Sequence, residues 1–192
     1  SKPVSLIWTN NQNITFKINY TIDDEYMFSI TQEIENKGNS NIEVFPYRLI
    51  KRINTPDTIN FFILHEGFIS LINDELLEKN YDDIADDCNS SMPSKKEFCD
   101  NKAQGGWLGF TDKYWMSALI PDADQSINVN YRYGNNGRDS YRAGYVGQIY
   151  KVSSGESLEY GGKLFVGAKK LNVLSAYDEK LSIPRFTDAI DW

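Results

Sequence analysis

Five apolar side chains, Ile14, Phe16, Ile18, Tyr20 and Ile22, alternate without a break with Thr15, Lys17, Asn19 and Thr21. A period of two puts the first set on one face of an extended strand and the second on the other. A helix would scatter both sets around its circumference. Such a strand, buried on one face, needs partners, and the flanking segments supply them. Residues 4–9 are short and apolar. Phe28, Ile30 and Ile34 point one way across residues 26–35. Residues 36–41 (Asn-Lys-Gly-Asn-Ser-Asn) form a turn. Residues 42–54 read as one long strand, and Pro46 inside it marks an edge or a bulge. Strand, turn and strand repeated without helices imply an antiparallel sandwich.

Residues 60–73 form a second β block, punctuated by Gly67. Residues 74–87 are acidic and mixed, with Leu76, Leu77, Tyr81 and Ile84 marking a short amphipathic turn or strand. Residues 82–101 read as a loop. Residues 126–133 alternate again, 134–139 form a turn, and 141–152 and 157–166 are the last strands. The period then changes. Leu171, Leu174, Tyr177 and Leu181 recur every three or four residues, the stripe of an amphipathic helix, with Pro184 beyond its end. Phe186, Ala189 and Ile190 share one side of a second helical start.

The length of 192 residues suits one domain with a substantial core. The formal charge of −7 repels phosphate backbones and argues against nucleic-acid binding. No apolar run approaches the ~20 residues needed to cross a bilayer. No signal-peptide pattern begins at Ser1, so the sequence is a mature protein or a soluble piece of a longer one.

Catalytic chemistry finds little support. His65 is the single histidine, and its neighbour Glu66 would point to the opposite strand face, so a structural histidine is expected. Asp82, Asp83, Asp86 and Asp87, and separately Asp122 and Asp124, lack calcium-loop spacing and read as solvated loops. Gly161 and Gly162 are turn glycines, without the Lys-Ser/Thr of a phosphate cradle. Arg48, Lys51 and Arg52 read as a solvated strand face. Cys88 and Cys99 flank a ten-residue polar stretch. They form a disulfide in an oxidising compartment or remain reduced thiols in a loop. A zinc site would be half-liganded. No catalytic, metal or cofactor site is expected.

The densest run is residues 104–122, Gln-Gly-Gly-Trp-Leu-Gly-Phe-Thr-Asp-Lys-Tyr-Trp-Met-Ser-Ala-Leu-Ile-Pro-Asp. Trp107, Phe110, Tyr114 and Trp115 are expected in the core, a sugar-stacking platform being the alternative. Asp112 and Lys113 are expected to cap or pair locally. This run, with residues 63–69 (Ile-Leu-His-Glu-Gly-Phe-Ile) and 164–170 (Leu-Phe-Val-Gly-Ala-Lys-Lys) followed by Leu174 and Tyr177, resembles the periplasmic domain of the bacterial YidC/Oxa1-family membrane protein insertases. Residues 189–192 (Ala-Ile-Asp-Trp) resemble that family's approach to its next transmembrane helix.

The resemblance implies a mostly β fold: an antiparallel β-supersandwich, similar to galactose-mutarotase-like and carbohydrate-binding sandwiches, with short helices at the C-terminal end. It implies a single periplasmic domain over 1–192. A helical segment from about 168 to 192 would lead to a transmembrane helix, at the periplasmic face of the inner membrane. That compartment favours the Cys88–Cys99 disulfide. The implied role is non-catalytic scaffolding and docking. The implied partners are accessory subunits of the Sec translocon, nascent membrane proteins and the insertase's own membrane domain. The functional surface is expected at Leu171, Leu174, Tyr177, Leu181, Phe186 and Ile190, with the core claiming most of them. Two rival expectations are a glycan- or polymer-binding module using a sandwich groove, and an aldose-epimerase-like enzyme needing His65 beside a carboxylate.

Overall fold

The computed structural model describes residues 2–58, 65–91 and 97–190. Expectations on 59–64 and 92–96, and at Ser1, Asp191 and Trp192, lie outside the described residues. The strands, in chain order, are β1 (Val4–Thr9), β2 (Ile14–Ile22), β3 (Met27–Asn36), β4 (Ile42–Val44), β5 (Tyr47–Ile53), β6 (Gly67–Ile72), β7 (Glu75–Lys79), β8 (Asp100–Gln104), β9 (Trp107–Thr111), β10 (Trp115–Ile120), β11 (Ser126–Asn135), β12 (Asp139–Gly147), β13 (Tyr150–Val152), β14 (Ser157–Tyr160) and β15 (Lys163–Ala168). Helix α1 (Tyr81–Asp87) follows β7, and α2 (Leu171–Leu181) follows β15.

A large sheet runs β1-β2-β3-β15-β10-β9-β6-β7, with β14 also paired to β3. A second sheet runs β5-β12-β11-β8, and β4 and β13 form a two-stranded ribbon. These ladders are antiparallel. The expected sandwich, with its last helix near the C-terminal end, is the observed architecture.

The centre of the large sheet is covered on both faces. Phe68, Leu108, Phe110 and Leu119 pack toward Val129, Tyr131 and Tyr141 of the second sheet. Their strand neighbours Ile69, Leu71, Trp107, Met116 and Ala118 pack toward Leu174, Tyr177 and Phe186 on the other side. For this reason β6 and β9 are buried at every position. An antiparallel strand usually alternates apolar and polar, but one with two buried faces need not. Each fully buried large side chain contributes roughly 1.5–3 kcal/mol.

Three expectations are corrected. The long strand over 42–54 is two strands in different sheets, broken at Pro46. Proline has no amide to donate, although the Pro46 carbonyl accepts from the Gly147 amide at 2.8 Å. The loop expected over 82–101 begins as α1. The Asn80 side chain caps it by accepting from the Asp83 amide at 2.8 Å, and Asp82 and Asp83 lie in the first turn, where the helix dipole favours negative charge. The same loop ends as β8, paired to β11. The two last strands expected, over 141–152 and 157–166, are four: β12 and β13, which lie in different sheets, and β14 and β15, divided at Gly161 and Gly162.

Candidate docking surface at the helical end

Strands β9 and β10 form a hairpin closed by the Asp112 amide donating to the Trp115 carbonyl at 2.8 Å. Gly109 permits the two strands to approach, since a Cβ there would lie 1.8 Å from the Ser117 carbonyl oxygen. Trp107 is fully buried; its indole N–H donates to the Pro184 carbonyl at 2.9 Å, and its ring meets Phe186 edge-on at 5.4 Å. Phe110 is buried against Phe68 at 4.5 Å. Tyr114 and Trp115, expected in the core with them, are 64% and 59% exposed. They stand at the hairpin tip, where the layers covering the sheet centre no longer reach.

Asp112 does not pair with Lys113. Its carboxylate accepts from Arg52 Nη1 at 2.6 Å, and the same Nη1 donates to the Tyr81 hydroxyl at 2.9 Å. The guanidinium also stands 5.6 Å from the Tyr81 ring centroid. One side chain thus ties β5, α1 and the hairpin turn together. Burial works against the charge on Arg52, but the Asp112 carboxylate and Tyr81 outweigh it and hold its pKa above the ordinary value. Burial pushes the Tyr81 hydroxyl up to about 12. The Lys113 ammonium lies 5.0 Å from the Tyr114 ring, within cation–π range. Beside this clasp a shallow hollow of about 210 Å³ is lined by Trp115, Val166, Ser117 and Phe110, with Arg52 and Asp112 as a charged wall.

The helical end divides between core and surface. Leu174 and Phe186 are fully buried, Tyr177 is 7% exposed and Ile190 is half-buried. Leu171 and Leu181 face outward. The second helix expected from Phe186 is a single 3-10 turn, Phe186–Ala189. The Tyr177 hydroxyl donates to the Asp23 carboxylate at 2.7 and 2.9 Å, and the amides of Glu25 and Met27 donate to the same group at 2.9 Å each. Burial opposes the Asp23 charge, but the Met27 amide, Tyr177 and the Glu25 amide prevail and hold its pKa below 3.8. Burial and then Asp23 raise the Tyr177 pKa. A groove lies between the turn at Asp23, Asp24 and Glu25 and the α2 residues Asn172, Ala176 and Lys180.

Hairpin tip and helix are neighbours. The Lys169 amide donates to the Tyr114 carbonyl at 2.8 Å, and Trp115 pairs with Ala168 across the ladder. The aromatic run and the C-terminal helix, separate in sequence, present their exposed apolar side chains at one end of the molecule.

The other candidates are placed elsewhere. Cys88 and Cys99 are joined in a disulfide and buried, linking the end of α1 to the start of β8. His65 precedes β6, and its Nε2–H donates to the Phe68 carbonyl at 2.8 Å. Arg48, expected on a solvated face, is buried, because β5 turns Arg48, Ile50 and Arg52 inward and Tyr47, Leu49 and Ile53 outward. Among the described residues no cluster of three or more His, Cys, Asp or Glu is arranged to hold a metal ion.

Comparison with known proteins decides the family. The sequence matches the YidC periplasmic domain over residues 1–192. This chain belongs to the YidC periplasmic domain family. Relatives named membrane protein insertase YidC include those of Rhizobium johnstonii (35% identical over 191 residues, 99% of this chain and 30% of the relative) and Dinoroseobacter shibae (36% over 190 residues, 99% and 31%). That of Methylobacterium radiotolerans is 37% identical over 192 residues, again 99% and 31%. The chain spans about 30% of the length of the curated relatives it matches. A TPR-domain containing protein from Parabacteroides distasonis shares a looser likeness (8% identity, TM-score 0.40, 86% of this chain and 32% of that one), which carries no weight here.

As a YidC periplasmic domain, the chain has no described helix long and apolar enough to cross a membrane. The surface that sequence reasoning missed is the part of the family's signature run left outside the core: Tyr114, Trp115 and the adjoining Val166. The available signal was their place directly after Asp112-Lys113, a polar dipeptide that turns the chain.

Proposed function

We propose that this domain is a non-catalytic scaffold and docking module of a membrane protein insertase. It works at the periplasmic face of the bacterial inner membrane, as one domain over residues 1–192. Its partners are nascent membrane proteins, Sec accessory subunits and the insertase's own membrane part. Support comes from the family match along the whole chain and from relatives named as insertases. The Cys88–Cys99 disulfide fits an oxidising compartment. The observation that carries the docking role is Trp115, exposed at the tip of an otherwise buried hairpin, with Tyr114, Val166 and Leu171 nearby. Exposed Trp and Tyr are the side chains from which binding hot spots are built.

Deleting residues 169–192 would uncover the apolar core under α2 and so confuse docking with folding. Point substitutions separate the two. In the insertase that carries this domain, the combination Tyr114→Ala, Trp115→Ala and Leu171→Glu is expected to reduce crosslinking to partner proteins and slow insertion. The thermal midpoint of the isolated domain should stay within a few degrees of wild type. Unchanged crosslinking and insertion with these three side chains removed would sink the placement.

One observation favours glycan binding as a second function: Trp115 stands in a hollow beside the Arg52–Asp112 pair, an aromatic platform next to polar groups. Saturable binding on a glycan array, lost in Trp115→Ala, would establish it.

A further inference from the structure

Arg48 reaches from β5 across the space between the sheets and is 7% exposed. Its hydrogen-bond acceptors are all neutral. Nη2 donates to the Ile30 carbonyl at 3.0 Å and to the Tyr160 carbonyl at 3.4 Å, and Nε donates to Gln32 Oε1 at 3.4 Å. Arg52, two residues on and on the same strand face, has the Asp112 carboxylate. Among the described residues Arg48 has no carboxylate within ion-pair distance. A guanidinium taken out of water without a counter-charge is strongly disfavoured.

Two further donors face the same place. Tyr145 lies directly opposite Arg48 in the β5–β12 ladder, and the Tyr160 ring centroid is 5.8 Å from the Arg48 guanidinium carbon. Both tyrosines are buried, and neither Arg48 Nη1 nor either hydroxyl makes a well-formed hydrogen bond among the described residues, although the Arg48 side chain lies close enough to the Tyr145 hydroxyl to pull against its raised pKa. Glycines stand where larger residues would intrude. A Cβ at Gly162 would lie 2.1 Å from Arg48 Nη1, and one at Gly147 would lie 3.0 Å from the Tyr160 hydroxyl. The Asp122 carboxylate acts electrostatically on both hydroxyls; it is engaged by Lys163 at 3.7 Å and accepts from Gln125 Nε2 at 3.3 Å. Burial raises the Tyr145 hydroxyl to about 12 and raises Tyr160 as well, so both remain protonated donors at neutral pH.

We propose that Arg48, Tyr145 and Tyr160 form a buried binding site for a small monovalent anion of halide size, held between the two sheets. One fixed positive charge and three buried N–H and O–H donors match a single negative charge. The ion would complete a tie between the sheets that the protein's own carboxylates leave open.

Bromide supplies the test. In crystals soaked in sodium bromide, an anomalous peak is expected within hydrogen-bond reach of Arg48 Nη1 and both hydroxyls. In solution the thermal midpoint should rise saturably with chloride, gluconate keeping the ionic strength fixed. Tyr145→Phe should raise the half-saturating chloride concentration by about tenfold, the scale of one hydrogen bond to a charged group. Arg48→Met should abolish the dependence; if that variant does not fold, Tyr145→Phe and Tyr160→Phe carry the test. Water density alone at the site, or a midpoint indifferent to chloride, would overturn the proposal. A bromide peak equally occupied in Tyr145→Phe would mark an adventitious ion only and overturn it too.

Discussion

Strands β6 and β1 have similar sequences and opposite fates. The first reads Gly-Phe-Ile-Ser-Leu-Ile and is buried at every position; the second reads Val-Ser-Leu-Ile-Trp-Thr and is exposed at every position. Phe68 and Leu71 are 1% exposed, whereas Ile7 and Trp8 are 64% and 62% exposed. Both strands belong to the large sheet. They differ in place: β6 runs between β7 and β9, under the second sheet on one face and α2 on the other, while β1 is the last strand of the sheet and, among the described residues, pairs only with β2. Apolar composition makes each an extended strand, but what covers a strand is decided by the order of the sheet and by elements far away in sequence.

The largest test of that contrast is a pair of tryptophans. Trp107→Ala is expected to cost about 3–5 kcal/mol, because it empties a fully enclosed site and strands the Pro184 carbonyl. Urea denaturation measures it. Opening the Cys88–Cys99 disulfide should come next, at about 2–4 kcal/mol, since it frees a closed loop in the unfolded chain. Reduction should also raise the intact mass by about two hydrogens; an unchanged mass would remove the bond from the account.

Tyr177→Phe should cost about 1–2 kcal/mol at neutral pH by removing the hydroxyl donated to Asp23. Its pH dependence has a definite sign. The folded-state pKa of Asp23 is depressed, so its contribution is present above the unfolded value near 3.8 and is lost as pH falls through the lowered one. Urea midpoints of wild type and Tyr177→Phe should therefore converge on acidification. A gap that held constant down to full protonation would show that packing alone accounts for the loss. The raised tyrosine pKa values act at the other extreme. Stability should fall as pH rises above the ordinary tyrosine value near 10, because the unfolded chain ionises first. The smallest effect belongs to Trp8→Ala, below about 0.5 kcal/mol, as for other exposed positions. A loss comparable to that of Trp107→Ala would break the contrast between the two strands.

What was legible in the sequence follows the same line. The alternation from Ile14 to Ile22 announces β2, and the stripe of Leu171, Leu174, Tyr177 and Leu181 announces α2, because each period is written in consecutive residues. The segment Asp-Asn-Lys-Ala-Gln of β8 carries no such period; it is a strand because β11 lies beside it. Helix α1 rests on the Asn80 cap, one side chain in a run that otherwise reads as acidic loop. Strand β5 was misleading in a different way. Its alternation is present but inverted, with Arg48 and Arg52 inside and Tyr47 and Leu49 outside. An inward arginine is stable only with distant partners, the Ile30 carbonyl for Arg48 and Asp112 for Arg52, which no local pattern records. The proposed docking surface was half legible. The run from Gln104 to Asp122 reads as uniformly aromatic core, and only the folded hairpin separates enclosed Trp107 from exposed Trp115.

The layer made by α2 and the Phe186–Ala189 turn lies C-terminal to every strand. A chain made from its N-terminus therefore has its whole large sheet available before the cover for one face exists. Until residues 171–189 emerge, the face that carries Ile69, Leu71, Trp107, Met116 and Phe165 lacks the helical layer that covers it. At roughly 5–20 residues per second the missing segment takes on the order of seconds to arrive. For that interval the unfinished domain is a sticky, half-covered surface of the kind that holding chaperones bind, and a chain released early would aggregate through it.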